Sequence, residues 1–176
     1  MRHYEKDKMQ LDHYSTNFKN QKFPITVICE NVTNAPNIGS LFRTADAFGI
    51  EELIFCGENI PLGRKMTKTS RATEKSVNYR EEKDALTVVS ELKKKDYFVI
   101  SLEITSKSEA LVDFKFPKHK PIVLIIGDEN FGVSEAILNL SDAIIHIDMF
   151  GQNSSMNVVQ ATSVALYEIT KQLKQS

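Results

Sequence analysis

The sequence predicts an α/β domain: a mostly parallel sheet with helices on both faces. Three observations point there. Short apolar runs alternate with amphipathic, helix-length segments along the chain. The runs are continuous rather than alternating, as in "ITVIC", "PIVLIIG" and "AIIHIDM", the pattern of strands buried on both faces. No internal repeat and no Gly/Ser/Pro-rich linker interrupts the 176 residues, so residues 23–176 are expected to form one domain behind an arm of residues 1–22.

The elements follow in order. Tyr4, Met9, Leu11, Tyr14 and Phe18 are spaced loosely along one helical face of the arm. A strand is expected at 25–29. A helix over 37–49 places Ile38, Leu41, Phe42, Ala45 and Phe48 on one face and stops at Gly49. Residues 52–57 read as a strand, 58–75 as loop or short helix, and 76–79 as a short strand. An amphipathic helix over 83–96 leads to a strand at 97–104. The most apolar strand spans 121–127. A short helix at 134–140, a strand at 143–149 and a long helix at 155–173 complete the chain.

Composition excludes several classes. Hydrophobic residues at 41% and charged residues at 26% are those of a soluble globular protein. No apolar run approaches the roughly 18 residues of a membrane span. The start, "MRHYEKDKMQ", lacks the apolar centre of a secretory signal. Cys29 and Cys56 each end an apolar run and read as small buried hydrophobes, which fits a reducing cytoplasm. His3, His13, His119 and His146 show no ligand spacing, so no metal site is expected.

Net charge is −1, which argues weakly against a nucleic-acid partner. The local balance differs. Between Pro61 and Arg80, Arg64, Lys65, Lys68, Arg71, Lys75 and Arg80 face the single acid Glu74, a local charge of +5. Such a run is a solvated face or a phosphate-facing strip.

Three polar clusters follow apolar strands, where open parallel sheets bind ligands. In "ENVTNAPNIGSLFR" (30–43), Asn31, Asn34 and Asn37 recur at spacing three, with Arg43 farther along the helix. Turn and cap chemistry explains one or two of these Asn. A third is a surplus, and Arg43, expected to be partly buried, needs an anion. In "IIGDENFGVSEA" (125–136), Gly127 and Gly132 permit close backbone approach around Asp128 and Glu129. This is neither G-x-G-x-x-G nor a Walker A loop, and alone it reads as a tight strand-to-helix turn. In "DMFGQNSSMNVVQATSVALYE" (148–168), Ser154, Ser155 and Asn157 could cap the final helix, but the polar run is longer than one cap requires.

Taken in order, Asn-x-x-Asn-x-x-Asn-x-x-x-x-x-Arg, Gly-x-Glu-x-x-Gly and Met-x-Gly-x-x-x-Ser-x-Asn-Val resemble the three motifs of the TrmH (SpoU) family of RNA ribose 2′-O-methyltransferases, in the SPOUT superfamily. The resemblance covers about residues 25–172. It implies S-adenosylmethionine as cofactor, a C-terminal trefoil knot around it, and an active site completed across a homodimer. Arg43 falls on the family's catalytic arginine and Asn37 on the asparagine that helps place it. Glu129, Ser155 and Asn157 fall on supporting polar positions, with Glu129 expected to orient Arg43 or Asn157. Leu102, Glu103, Gly127, Ile147, Ser155 and Met156 fall where the cofactor binds. "TSRATEKS" (69–76) is similar to a substrate-contacting loop. Asn31, Asn34, Arg43, Arg64, Lys68 and Arg71 are therefore the expected RNA contacts, with tRNA ahead of rRNA as substrate. Asp148 departs from the usual Pro and Val159 from a frequent Ser.

Two other readings stay open. One is an RNA-binding module of this fold without catalysis, against which the intact Arg43, Glu129, Ser155 and Asn157 count. The other is a nucleotide-binding protein, against which the missing phosphate loop counts.

Overall fold

A computed structural model describes residues 16, 17, 19–153 and 155–174. Most of the N-terminal arm, including its helix-like spacing, lies outside the described residues. So does Ser154.

The chain runs β1 (Phe23–Glu30), α1 (Ala35–Ala47), β2 (Ile50–Cys56), α2 (Arg64–Ser70), a 3₁₀ turn (Thr73–Lys75), β3 (Tyr79–Glu82), α3 (Ala85–Lys94) and β4 (Phe98–Leu102). It continues with β5 (Glu109–Ala110), β6 (Ile122–Ile126), α4 (Glu135–Leu140), β7 (Ala143–His146) and α5 (Val158–Lys174). Seven strands form one sheet in the order β3-β2-β1-β6-β4-β7-β5, and every pairing is parallel.

Side-chain alternation along the central strands builds two cores. Ile25, Val27 and Cys29 of β1 join Leu53, Phe55 and Leu124 beneath α1 and α5, against Ile38, Leu41, Phe42, Ala165 and Ile169. Ile28, Ile54, Val123 and Ile125 point the other way, under α3 and α4, against Val88, Val89, Leu92 and Ile137. A strand with helices on both faces has no polar side, which explains the continuous apolar runs. Phe42 also packs edge-on against Tyr79 at 4.9 Å between ring centroids, a geometry that adds about 0.5–1.5 kcal/mol to simple burial.

Helix boundaries follow local chemistry. Asn34 caps α1 by accepting from the Asn37 N–H at 3.0 Å, and Pro36 sits in the first turn, where its missing donor costs nothing. Asp84 caps α3 through the Thr87 N–H at 2.9 Å. Gly39 lets α2 lie directly on α1, since a Cβ there would meet Met66 O at 2.3 Å. That contact fixes where the cations of α2 project.

Several boundaries differ from expectation. The third strand occupies 79–82, not 76–79. It is a sheet-edge strand, and Arg80 pairs with Glu52 at 3.1 Å and with Glu82, so its polar sequence hides it. β5 has only two residues, too few to leave a periodic signal. The seventh strand ends at His146, and α5 begins at Val158 rather than 155. Of the residues between them, Ile147, Met149, Ser155, Met156 and Asn157 line a cavity.

Candidate active site

The parallel sheet brings the carboxyl ends of β1, β4, β6 and β7 to one edge. The segments that follow them meet there. The loop after β6 is clamped by three carboxylates. Asp128 Oδ1 accepts from Asn130 N–H at 2.7 Å and Phe131 N–H at 2.8 Å. Glu103 Oε2 accepts from Val133 N–H at 3.0 Å. The buried Glu30, at the end of β1, accepts from Ser134 N–H at 2.9 Å. Hydrogen bonds to ionised acceptors are about twice as strong as neutral ones, so this loop is held firmly. It is also tightly wound: a Cβ at Gly127 would lie 2.0 Å from Gly132 C.

Beside the loop is a cavity of about 600 Å³, within the range of cofactor sites. Leu102, Glu103, Gly127, Ile147, Ser155 and Met156, the six expected cofactor positions, all line it, together with Glu129 and Asn157.

At the cavity, the three motifs are joined by side chains. Asn37 Nδ2 donates to Glu129 Oε1 in a short contact. Asn157 Nδ2 lies 3.4 Å from both Glu129 Oε1 and Asn37 Oδ1. Asn157 Oδ1 accepts from Val159 N–H at 2.9 Å and Gln160 N–H at 3.4 Å, so Asn157 caps α5. One residue thereby does both jobs considered for the final polar run. Ser155 lines the cavity and is exposed, and Ser154 lies outside the described residues.

Arg43 is placed differently from expectation. It is exposed rather than partly buried, makes no ion pair among the described residues, and does not line the cavity. Six helical residues after Asn37, it lies about 240° around α1 and about 9 Å along it. Within one chain, Glu129 bonds Asn37 and Asn157 and makes no ion pair with Arg43.

Of the expected RNA contacts, Asn34 is occupied as the cap of α1. Asn31 turns the chain after β1 at φ 55°, its N–H donating to Cys56 O at 2.8 Å. Neither lines the cavity. Arg64 and Lys68 on α2, and Arg71 just after it, are exposed and make no ion pair among the described residues. The basic strip loses Arg80 to its two glutamates. Glu74, its one acid, accepts from Ser70 Oγ at 2.5 Å, and that bond holds its carboxyl below the usual range.

Phe131, His146 and Met149 line the cavity without having been expected there. A readable signal existed for Phe131, an aromatic inside a turn between two glycines. Burial raises both thiols, and Cys56 is pushed up to about 12, with Glu82 assisting. Among the described residues, no group of three or more His, Cys, Asp or Glu could hold a metal, and no helix is long and apolar enough to cross a membrane.

The chain is similar to several known proteins. A tRNA (guanosine(18)-2′-O)-methyltransferase of Thermus thermophilus is 34% identical over 151 residues, covering 84% of this chain and 75% of its own. The enzyme of that name from Aquifex aeolicus is 30% identical over 158 residues, covering 88% and 72%. Among solved structures, the A. aeolicus TrmH/SpoU tRNA modifying enzyme superposes with a TM-score of 0.80 at 26% identity, covering 89% of this chain and 78% of its own. The model of the SpoU rRNA Methylase family matches residues 24–167, a span that contains all three motifs. This chain belongs to the SpoU rRNA methylase family.

Proposed function

We propose that this chain transfers a methyl group from S-adenosylmethionine to a ribose 2′-hydroxyl of tRNA. The observation that carries the reading is the Asn37–Glu129–Asn157 cluster, which ties three distant motifs together at the wall of the 600 Å³ cavity. The relatives named for guanosine 18 of tRNA make that nucleotide the first place to look.

The cavity fits the cofactor on three counts. Its size suits a nucleoside bearing an amino-acid side chain. Gly127 and Ile147 offer backbone groups beside apolar walls from Leu102 and Met156. His146 Nδ1 is buried and without a partner among the described residues, so a polar ligand atom can meet it. When bound, the cofactor supplies an electrophilic methyl group on a sulfonium.

The protein's own side chains align the attacking oxygen. Asn37 and Asn157, locked by Glu129, present amide groups beside the cavity, and such alignment supplies much of a transfer rate. Arg43 clamps a neighbouring RNA phosphate and stabilises charge developing on the ribose oxygen. A guanidinium does not serve as the proton acceptor, so the 2′-hydroxyl proton passes to the clamped phosphate or to water. Its direction on α1, away from its own Asn37, supports a place for it at the cavity of a partner in a homodimer. Val164 and Tyr167, exposed one turn apart on α5, give that dimer an apolar face. The knot belongs to the same proposal. It is supported by the meeting of residues 102–104, 126–132, 146, 147, 149 and 155–158 at one cavity. A cytoplasmic location follows from the tRNA substrate, and rRNA is the second candidate.

The test uses purified protein, radiolabelled S-adenosylmethionine and tRNA transcripts, with mass spectrometry of the digested product. A 2′-O-methylated nucleoside is expected. Calorimetry that detects no cofactor binding, or a methyl group found on a base, overturns the proposal.

A further inference from the structure

Phe131 is 90% exposed, yet it is not on a loose surface loop. Its own N–H is held by Asp128 Oδ1 at 2.8 Å, and Gly132 N–H by Asp128 O at 2.9 Å. The next residues are held by Glu103 and Glu30. A rigid backbone thus presents a large ring to solvent at the edge of the cavity, where Phe131 is part of the lining. Single exposed hydrophobes are ordinary. A clamped aromatic beside Glu129, within a site for RNA, is a stacking platform in form.

The neighbouring charges say which part of an RNA comes here. Asp128 and Glu129 flank this turn and repel a phosphate, whereas the uncharged face of a nucleobase pays no such penalty. The phosphates are drawn instead toward exposed cations without an ion pair among the described residues, Arg43, Arg64, Lys68 and Arg71. We infer that Phe131 stacks on the base of the nucleotide whose ribose is methylated, or of its immediate neighbour, and so positions that ribose. This rests on the proposed RNA methyl transfer.

The chain contains no Trp, so Phe131→Trp installs a single reporter excited selectively near 295 nm. The probe is bulk tRNA from cells lacking the gene. Stacking quenches the reporter as tRNA is added, saturably and at the concentration that supports methylation. Phe131→Leu keeps an apolar side chain without a π-face. It lowers kcat/KM for tRNA by about 5- to 150-fold, the loss of one base stack, while Phe131→Tyr restores it. Sedimentation of both variants as a dimer stays as in the wild type. Methylation by Phe131→Trp without quenching, or full activity of Phe131→Leu, overturns the stacking role and leaves the methyltransferase reading intact. Loss of the dimer in Phe131→Leu overturns it in favour of a subunit contact. Wild-type protein that neither binds nor methylates the tRNA overturns both.

Discussion

Gly132→Ala probes the clamped loop most directly. Gly132 has φ +67°, where a side chain costs about 1–2 kcal/mol. A Cβ there would lie 2.2 Å from Glu103 Oε2, so the carboxylate must leave the Val133 N–H it accepts at 3.0 Å. Losing a hydrogen bond to a charged acceptor costs about 1.5–3 kcal/mol. Together these give about 3–5 kcal/mol, or a Tm lowered by about 6–20 °C for a chain of this size. Both residues line the cavity, so S-adenosylmethionine affinity falls as well. Thermal melts and calorimetry measure the two effects. The decisive comparison is the same substitution in Glu103→Ala, where only the backbone cost of about 1–2 kcal/mol remains. A Tm drop under about 2 °C, or equal drops in both backgrounds, refutes the clash and the clamp.

Four other outcomes follow. Equal amounts of Arg43→Ala and Asn157→Ala protein, mixed and reassembled, recover about one quarter of wild-type activity above their residual levels if each site uses both subunits, because half the random dimers carry one intact site; no recovery sinks the shared site. Asn157→Ala removes a helix cap, costing about 1 kcal/mol in a melt, yet lowers kcat/KM by more than about tenfold in a methyl-transfer assay, since the Asn37–Glu129 link is loosened. Replacing Lys68 and Arg71 with Gln flattens the dependence of log K for tRNA on log salt by about 1.5, at 0.7–0.9 per phosphate contact, whereas Arg80→Gln leaves the slope unchanged because Arg80 is already paired. Cys56, with its thiol pushed up to about 12 from 9.0, contributes stability that is fully present below pH 9 and lost as pH rises toward 12; native protein resists alkylation at pH 8 until denaturant is added.

The parts of the fold legible in the sequence were those where burial imposes a pattern. β1, β2, β4 and β6 are covered on both faces for most of their length, so each reads as a near-continuous apolar run. β3 escaped because an edge strand has one neighbour and carries its stabilisation in Arg80 and two glutamates. β5 escaped through brevity. For the site, the motifs located Asn37, Glu129 and Asn157, but spacing carries no direction. Nothing in the order of letters says that Asn157 rather than a serine begins α5, or that Arg43 turns away from Asn37. That follows from where the helix starts and from 100° per residue. Phe131, an isolated aromatic, carries no period, and its place between two glycines is its only mark in the sequence.

The strand order has a temporal consequence. β1 sits at the middle of the sheet with β2 on one side and β6 on the other, and Ile25 pairs with Ile122. On a ribosome, β1, α1 and β2 can assemble early, since their contacts are local. The other edge of β1, where Ile25, Val27, Ile28 and Cys29 pair with β6, then waits while residues 57–121 are synthesised. An open apolar edge of this kind recruits foreign strands, and non-local parallel pairing is slow. The nascent chain is therefore most prone to aggregation between the emergence of β2 and that of β6, and a holdase acting in that window raises its yield more than one added after release.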